Sequence, residues 1–239
     1  MYHKSPHRLT RMFFVGVSIS GMIISLTLAS QTPTATEFNN QKPLIGATFT
    51  IFCVLGVVAA VTPRKCSESL GSKARSNKFG FYHVPTCIEK PLAGHHPNCE
   101  KFSAHVINLR GRYICAACTG LFLGGLIDLV GTFLYFFFGW EYKIETFVIV
   151  FIGILAVLIG FFQLKFSRFA RSLLNVSFVV GCYLVLSGMD QSQRSLSYDL
   201  FIFSLIVFWL VTRILLSQWD HERICMGCDL MPTPKKKWG

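Results

Sequence analysis

Residues 115–140 read CAACTGLFLGGLIDLVGTFLYFFFGW. The opening four positions are a CxxC pair, and from Thr119 to the end of the run the only acidic or basic side chain is Asp128. A helix needs about 20 mostly apolar residues to cross roughly 30 Å of hydrocarbon, and this run meets that length. Five more runs of the same character flank it, so the chain has predicted spans at 12–29, 44–62, 119–140, 144–163, 172–189 and 200–216. Composition agrees: 52% of residues are hydrophobic and only 15% charged, where an ordinary soluble domain carries roughly 25% charge. Disordered, collagen-like and small disulfide-stapled classes are excluded. The expected fold is an all-α polytopic membrane protein with six transmembrane helices, both termini on one side, and a small Cys/His-rich loop module.

Lys and Arg in short loops stay preferentially on the cytoplasmic side. With the N-terminus inside, 20 of the 23 basic residues fall inside, and only Lys42, Lys143 and Arg194 fall outside. The net charge of +11 is then mostly topogenic, and nucleic-acid binding is not expected. The bilayer itself is the expected partner, and the cell inner (cytoplasmic) membrane the expected location. Run 12–29 also has the flanks of a signal peptide, but it exceeds the usual ~7–15-residue apolar core and is read as a retained anchor. Four parts follow: a helical hairpin at 1–62, a loop at 63–118 with its Cys/His module at 87–118, a four-helix membrane portion at 119–216, and a tail at 217–239 with a CxxC and a lysine cluster.

All seven histidines and seven of the nine cysteines fall on the inner side. No cysteine lies outside, so no disulfide framework is expected, and the inner thiols should be reduced in a cytosolic setting. Two short β-prone runs flank Arg110-Gly111, which predicts a hairpin leading into a cysteine knuckle, with a short helix after Pro97. So small a module has too little core to fold unaided. Metal supplies such cohesion: zinc takes four Cys or His ligands at about 2.0–2.3 Å, and both sulfurs of a CxxC reach one ion.

The candidate ligands are Cys115, Cys118, Cys225, Cys228, Cys99, His95, His96 and His105. Either both CxxC pairs share a four-sulfur site, or Cys99 and His105 join Cys115 and Cys118 while the C-terminal pair stands apart. Zinc is the expected cofactor; iron is the alternative that a four-cysteine site admits.

Within the spans, Asp128 is costly to bury and marks a site by default. Arg213, near the inner end of the last span, is a candidate ion-pair partner for it, and a proton or cation relay is the sharper reading. Ala116, Gly120 and Gly124 precede Asp128 at intervals of four, a small-residue face that lets another helix approach closely. It also offers a face to a membrane-protein partner or a second copy of the chain. No rows of charge typical of a channel are seen, no internal repeat, no Walker loop, no GxSxG and no HExxH.

His96-Pro97, Cys99 and the run Cys115-Ala116-Ala117-Cys118-Thr119-Gly120 resemble an uncharacterised family of prokaryotic multi-pass membrane proteins. Its pattern opens with Cys-His and Pro, continues through an aromatic stretch, and ends in Cys-Ala-Arg-Cys-Thr-Gly at the start of a transmembrane helix. The likeness covers about 95–131. Ala117 stands where the family has arginine, and His95 precedes His96 where it has cysteine, so His95 or Cys99 would take that ligand's place. The resemblance implies a membrane protein with a Cys/His site and no particular activity. From the residues, the expected function is a membrane subunit or small-solute component with a structural zinc; the alternative is a membrane thiol oxidoreductase or electron carrier.

Overall fold

A computed structural model describes residues 8–32, 41–62, 105–109, 112–166 and 168–226, with the side chains of 106, 108, 109, 112, 113 and 221–226 outside the description. The described residues are mostly helical. In chain order they form α1 (Arg8–Ala29), α2 (Gln41–Val61), strands β1 (Val106–Leu109) and β2 (Arg112–Cys115), then α3 (Ala116–Thr132), α4 (Thr146–Phe161), α5 (Arg168–Gln193) and α6 (Leu196–Met226). Six helices are long and apolar enough to cross a membrane. Their outward faces carry large apolar side chains such as Ile51, Ile127, Val130 and Phe151, which water would not solvate and acyl chains would.

The predicted hairpin is present. β1 and β2 pair antiparallel with Val106 opposite Cys115 and Leu109 opposite Arg112, leaving Arg110-Gly111 as a two-residue connection. The expected knuckle is replaced by direct continuity: β2 ends at Cys115 and α3 begins at Ala116. Cys115 is therefore the N-cap of α3, and Thr119 Oγ1 donates to its carbonyl at 3.0 Å.

α5 is the centre of the bundle, packing on α3, α4, α6 and α1. Its buried positions include Arg171, Asn175, Phe178, Cys182, Leu186, Met189 and Gln193, the three-and-four spacing that one helix face requires. Polar members of this set explain why α5 outruns the predicted 172–189 at both ends: they are bonded within the protein and do not mark a water boundary. α3 widens into a π turn at Phe133–Phe137, with the Phe138 amide donating to the Phe133 carbonyl at 3.1 Å, and stops at Gly139, whose φ of +70° suits glycine.

Small residues fix the closest crossings. A Cβ on Gly120 would collide with the Ser172 carbonyl oxygen, and one on Gly124 would stand 2.9 Å from Val179 Cβ. The Ala116, Gly120 and Gly124 face is thus covered by α5, which corrects the expectation that it serves a partner or second copy; the close helix approach it permits is used inside the chain. A second seam lies between α4 and α5, where a Cβ on Gly153 would meet the Gly181 carbonyl at 2.9 Å and one on Gly181 the Gly153 carbonyl at 2.7 Å.

Candidate functional site

At the hairpin end of the bundle, β2 and the first turn of α3 hold Cys115 and Cys118 in side-chain hydrogen-bonding contact. Cys115 is buried and Cys118 half-buried. Two arginines enter from neighbouring helices. Arg171 of α5 is 4% exposed, and its Nη1 lies 2.6 Å from His105 Nδ1, while Nε and Nη2 donate to the Phe166 and Leu164 carbonyls at 3.3 Å each. Arg213 of α6 is 5% exposed, donates from Nη2 to Gln163 Oε1 at 3.2 Å, and lies over the Phe178 ring at 5.0 Å. Its Nε finds no acceptor among the described residues. Arg171 acts electrostatically on Cys115, and Arg213 on both Cys115 and Cys118.

A guanidinium only donates, so the 2.6 Å contact makes Nδ1 of His105 an acceptor, with its lone pair directed at Arg171. That occupies the nitrogen a metal would use. Among the described residues no three Cys, His, Asp or Glu side chains converge as metal ligands. His95, His96, Cys99 and Cys228 lie outside the described residues, as do the predicted helix after Pro97 and the lysine cluster at 235–237. Cys225 is described by its backbone alone, in the last turn of α6, which continues through Met226 into what was expected to be the tail. Arg171 also feels the charge of Asp220, so the end of α6 lies beside the start of α5. Cys225 is five residues further on, about 7.5 Å along the helix axis.

The opposite end of the bundle carries a second polar cluster. α5 and α6 are joined by Arg194 and Ser195 alone, Arg194 with a φ of +47°. This tight link brings Asp190, one turn before the end of α5, against Asp199 in the first turn of α6, within side-chain hydrogen-bonding reach. Both are buried, 1% and 0% exposed. Tyr135 of the π turn donates to Asp190 Oδ2 at 2.7 Å, and Gln41 Nε2 donates to Asp199 Oδ2 at 2.6 Å. Tyr142 is pinned by two bonds of 3.0 Å between its backbone and Gln191. Its hydroxyl meets Ser187 Oγ at 2.9 Å and Tyr183 OH at 3.1 Å. On the surface, Lys42 donates to Glu141 at 2.9 Å, and this bond and charge hold the Glu141 carboxyl below the ordinary glutamate range.

Asp128 lies between the two clusters, fully buried on α3, and neither carboxyl oxygen has a hydrogen-bond partner among the described residues. The ion pair with Arg213 that the sequence allows does not form. Cys53 of α2 and Cys182 and Tyr183 of α5 are its ionisable neighbours. Thr132 Oγ1, one turn further along α3, is also buried without a partner.

Sequence reasoning singled out Cys115, Cys118, His105, Asp128 and Arg213, all of which the structure buries or half-buries; Arg171, Asp190, Asp199, Gln41 and the three tyrosines were missed. The spacing of Asp190 and Asp199 across a short polar link, in a chain with only 12 acids, was the available signal. Comparison with known protein families, curated proteins and solved structures finds no match for this chain.

Proposed function

We propose that this chain is a multi-pass protein of the inner (cytoplasmic) membrane, both termini cytoplasmic, whose inner end is organised by a metal–thiolate centre. Zinc is the metal of choice, Cys115 and Cys118 are two ligands, and Cys225 and Cys228 supply the other two. The role is that of a membrane subunit or small-solute component held together at its cytoplasmic face. One observation carries this reading: two buried guanidiniums, Arg171 and Arg213, converge on a CxxC pair; Arg171 also feels the charge of Asp220, whereas Arg213 has no acid beside it among the described residues.

Arginine stays charged under all physiological conditions, and a buried cation without a counter-charge costs several kcal/mol. Thiolates bound to zinc are such a counter-charge, since four of them leave the centre net negative. Engagement of His105 by Arg171 favours the four-sulfur set over the set containing Cys99 and His105. Elemental analysis of purified protein tests it: stoichiometric zinc is expected, and its loss in the Cys115→Ser/Cys118→Ser double variant.

The thiol oxidoreductase reading keeps one supporting observation. Cys115 caps α3 and Cys118 sits in its first turn, within side-chain hydrogen-bonding contact of Cys115, the paired sulfurs that a dithiol–disulfide cycle needs. Metal-free protein with rapid alkylation at neutral pH, or visible absorption from bound iron, would select that reading.

A further inference from the structure

We propose that Asp128 is a proton-binding site in the middle of the bundle, loaded from the Asp190–Asp199 carboxyl pair through the hydroxyls of Tyr135, Tyr142 and Tyr183. This goes beyond the metal–thiolate centre and does not rest on it.

Two separate observations meet here. The first is Asp128 itself. A carboxylate held away from water normally collects donors, as Asp190 collects Tyr135 and Asp199 collects Gln41. Asp128 is 0% exposed and collects none among the described residues, and Thr132 on the same face of α3 is likewise without a partner among them. A charge left this way in an apolar interior is strongly disfavoured, and the smallest ligand that removes it is a proton. A metal cation would need several ligands around it, and among the described residues no three His, Cys, Asp or Glu side chains meet to hold one.

The second observation is a string of hydroxyls that leads toward Asp128 from the carboxyl-pair end of the bundle. Asp190 and Asp199 approach within hydrogen-bonding reach, a contact that two carboxyl groups sustain only by sharing a proton. Tyr135 bonds Asp190, and its ring stacks on Tyr142 at 5.6 Å. The Tyr142 hydroxyl touches both Ser187 and Tyr183. The Tyr183 hydroxyl lies against α3 at Gly131, where an added Cβ would stand 3.0 Å from that oxygen, three residues past Asp128 and so on the adjacent turn.

The string has two breaks, between the stacked tyrosines and between Tyr183 and Asp128. Proton transfer to Asp128 therefore waits on a side-chain movement or an entering water, and the path is gated. The groups facing Asp128 are Cys53, Cys182 and Tyr183. Those facing the carboxyl pair are Gln41 and Tyr135, with Lys42 over the Tyr135 ring at 5.2 Å and Glu141 beyond it.

The test is infrared spectroscopy of the full-length protein in liposomes. The wild type should show a protonated-carboxyl C=O band that shifts on transfer to heavy water; Asp128→Asn should remove it, and Asp128→Glu should move it to a new frequency. Tyr183→Phe and Tyr142→Phe should leave the band's amplitude intact and slow its deuterium exchange severalfold. Absence of any band assignable to position 128 in either the wild type or the Glu variant would overturn the site. Unchanged exchange in both tyrosine variants would overturn the route. Should Asp128→Asn fail to fold, the frequency shift in Asp128→Glu makes the assignment in its place.

Discussion

Arg171 and Arg213 at the hairpin end, and Asp190 and Asp199 at the other, are equally well hidden from solvent, yet the two ends satisfy their charge by different means. The carboxyl pair is served by neutral donors of the chain itself, a tyrosine on α3 and a glutamine on α2, and by its own mutual contact. The arginine pair finds two backbone carbonyls, one amide oxygen, one imidazole nitrogen, the sulfurs of Cys182, Cys118 and Cys115, and, for Arg171 alone, the charge of Asp220. Donors alone can carry buried carboxyls; acceptors without charge leave buried guanidiniums short of what they lost on leaving water. Each end keeps a buried polar atom without a hydrogen-bond partner among the described residues, Asp199 Oδ1 and Arg213 Nε, but only at the arginine end does the charge balance turn on the state of the thiols.

The contrast predicts unequal damage. Replacing Cys115 and Cys118 by Ser together should be the most harmful change, costing on the order of 5 kcal/mol or more if a structural metal is lost with them; folded yield and thermal unfolding in detergent measure it. Near-wild-type unfolding would place both ends on the same footing. Arg213→Leu removes one buried cation and leaves Gln163 and the sulfurs facing a gap, with an expected cost of about 3 kcal/mol and faster zinc loss to a chelator. Both are read in one titration.

At the carboxyl end the effects should be milder. Tyr135→Phe deletes a single donor to Asp190 and should cost about 2 kcal/mol, seen as a lower unfolding midpoint with zinc content unchanged. Weakest of all is the surface pair. Because Lys42 holds the Glu141 carboxyl below its ordinary value near 4.5, the pair stabilises the fold above that value and loses its contribution as pH falls through the lower, folded-state value. Glu141 is 45% exposed, so Glu141→Gln should cost under about 1 kcal/mol at neutral pH and nothing in strong acid.

Much of this architecture was legible in the sequence because single properties of single segments determine it. Six long apolar runs give six helices, and Arg110-Gly111 between β-prone runs gives the hairpin. Features that need two segments were not legible. The Ala116, Gly120 and Gly124 stripe announced a close helix contact without saying that α5, and no second chain, fills it. Arg171 reads in sequence as one more topogenic basic residue beside a span; only its neighbours His105 and Cys115 reveal a buried charge. Gln41 and Asp199 are 158 positions apart, and nothing local in either joins them. Gly153 and Gly160 on one helix, and Gly181 and Gly188 on the next, share a seven-residue interval that marks the α4–α5 seam once both helices are in hand.

Zinc content per chain, measured by plasma mass spectrometry on wild type and on the Cys115→Ser/Cys118→Ser variant purified side by side, bears on the thiolate centre without intermediaries. Stoichiometric zinc in the first and none in the second is the predicted result. Wild-type protein that is folded, monodisperse and free of zinc would contradict it.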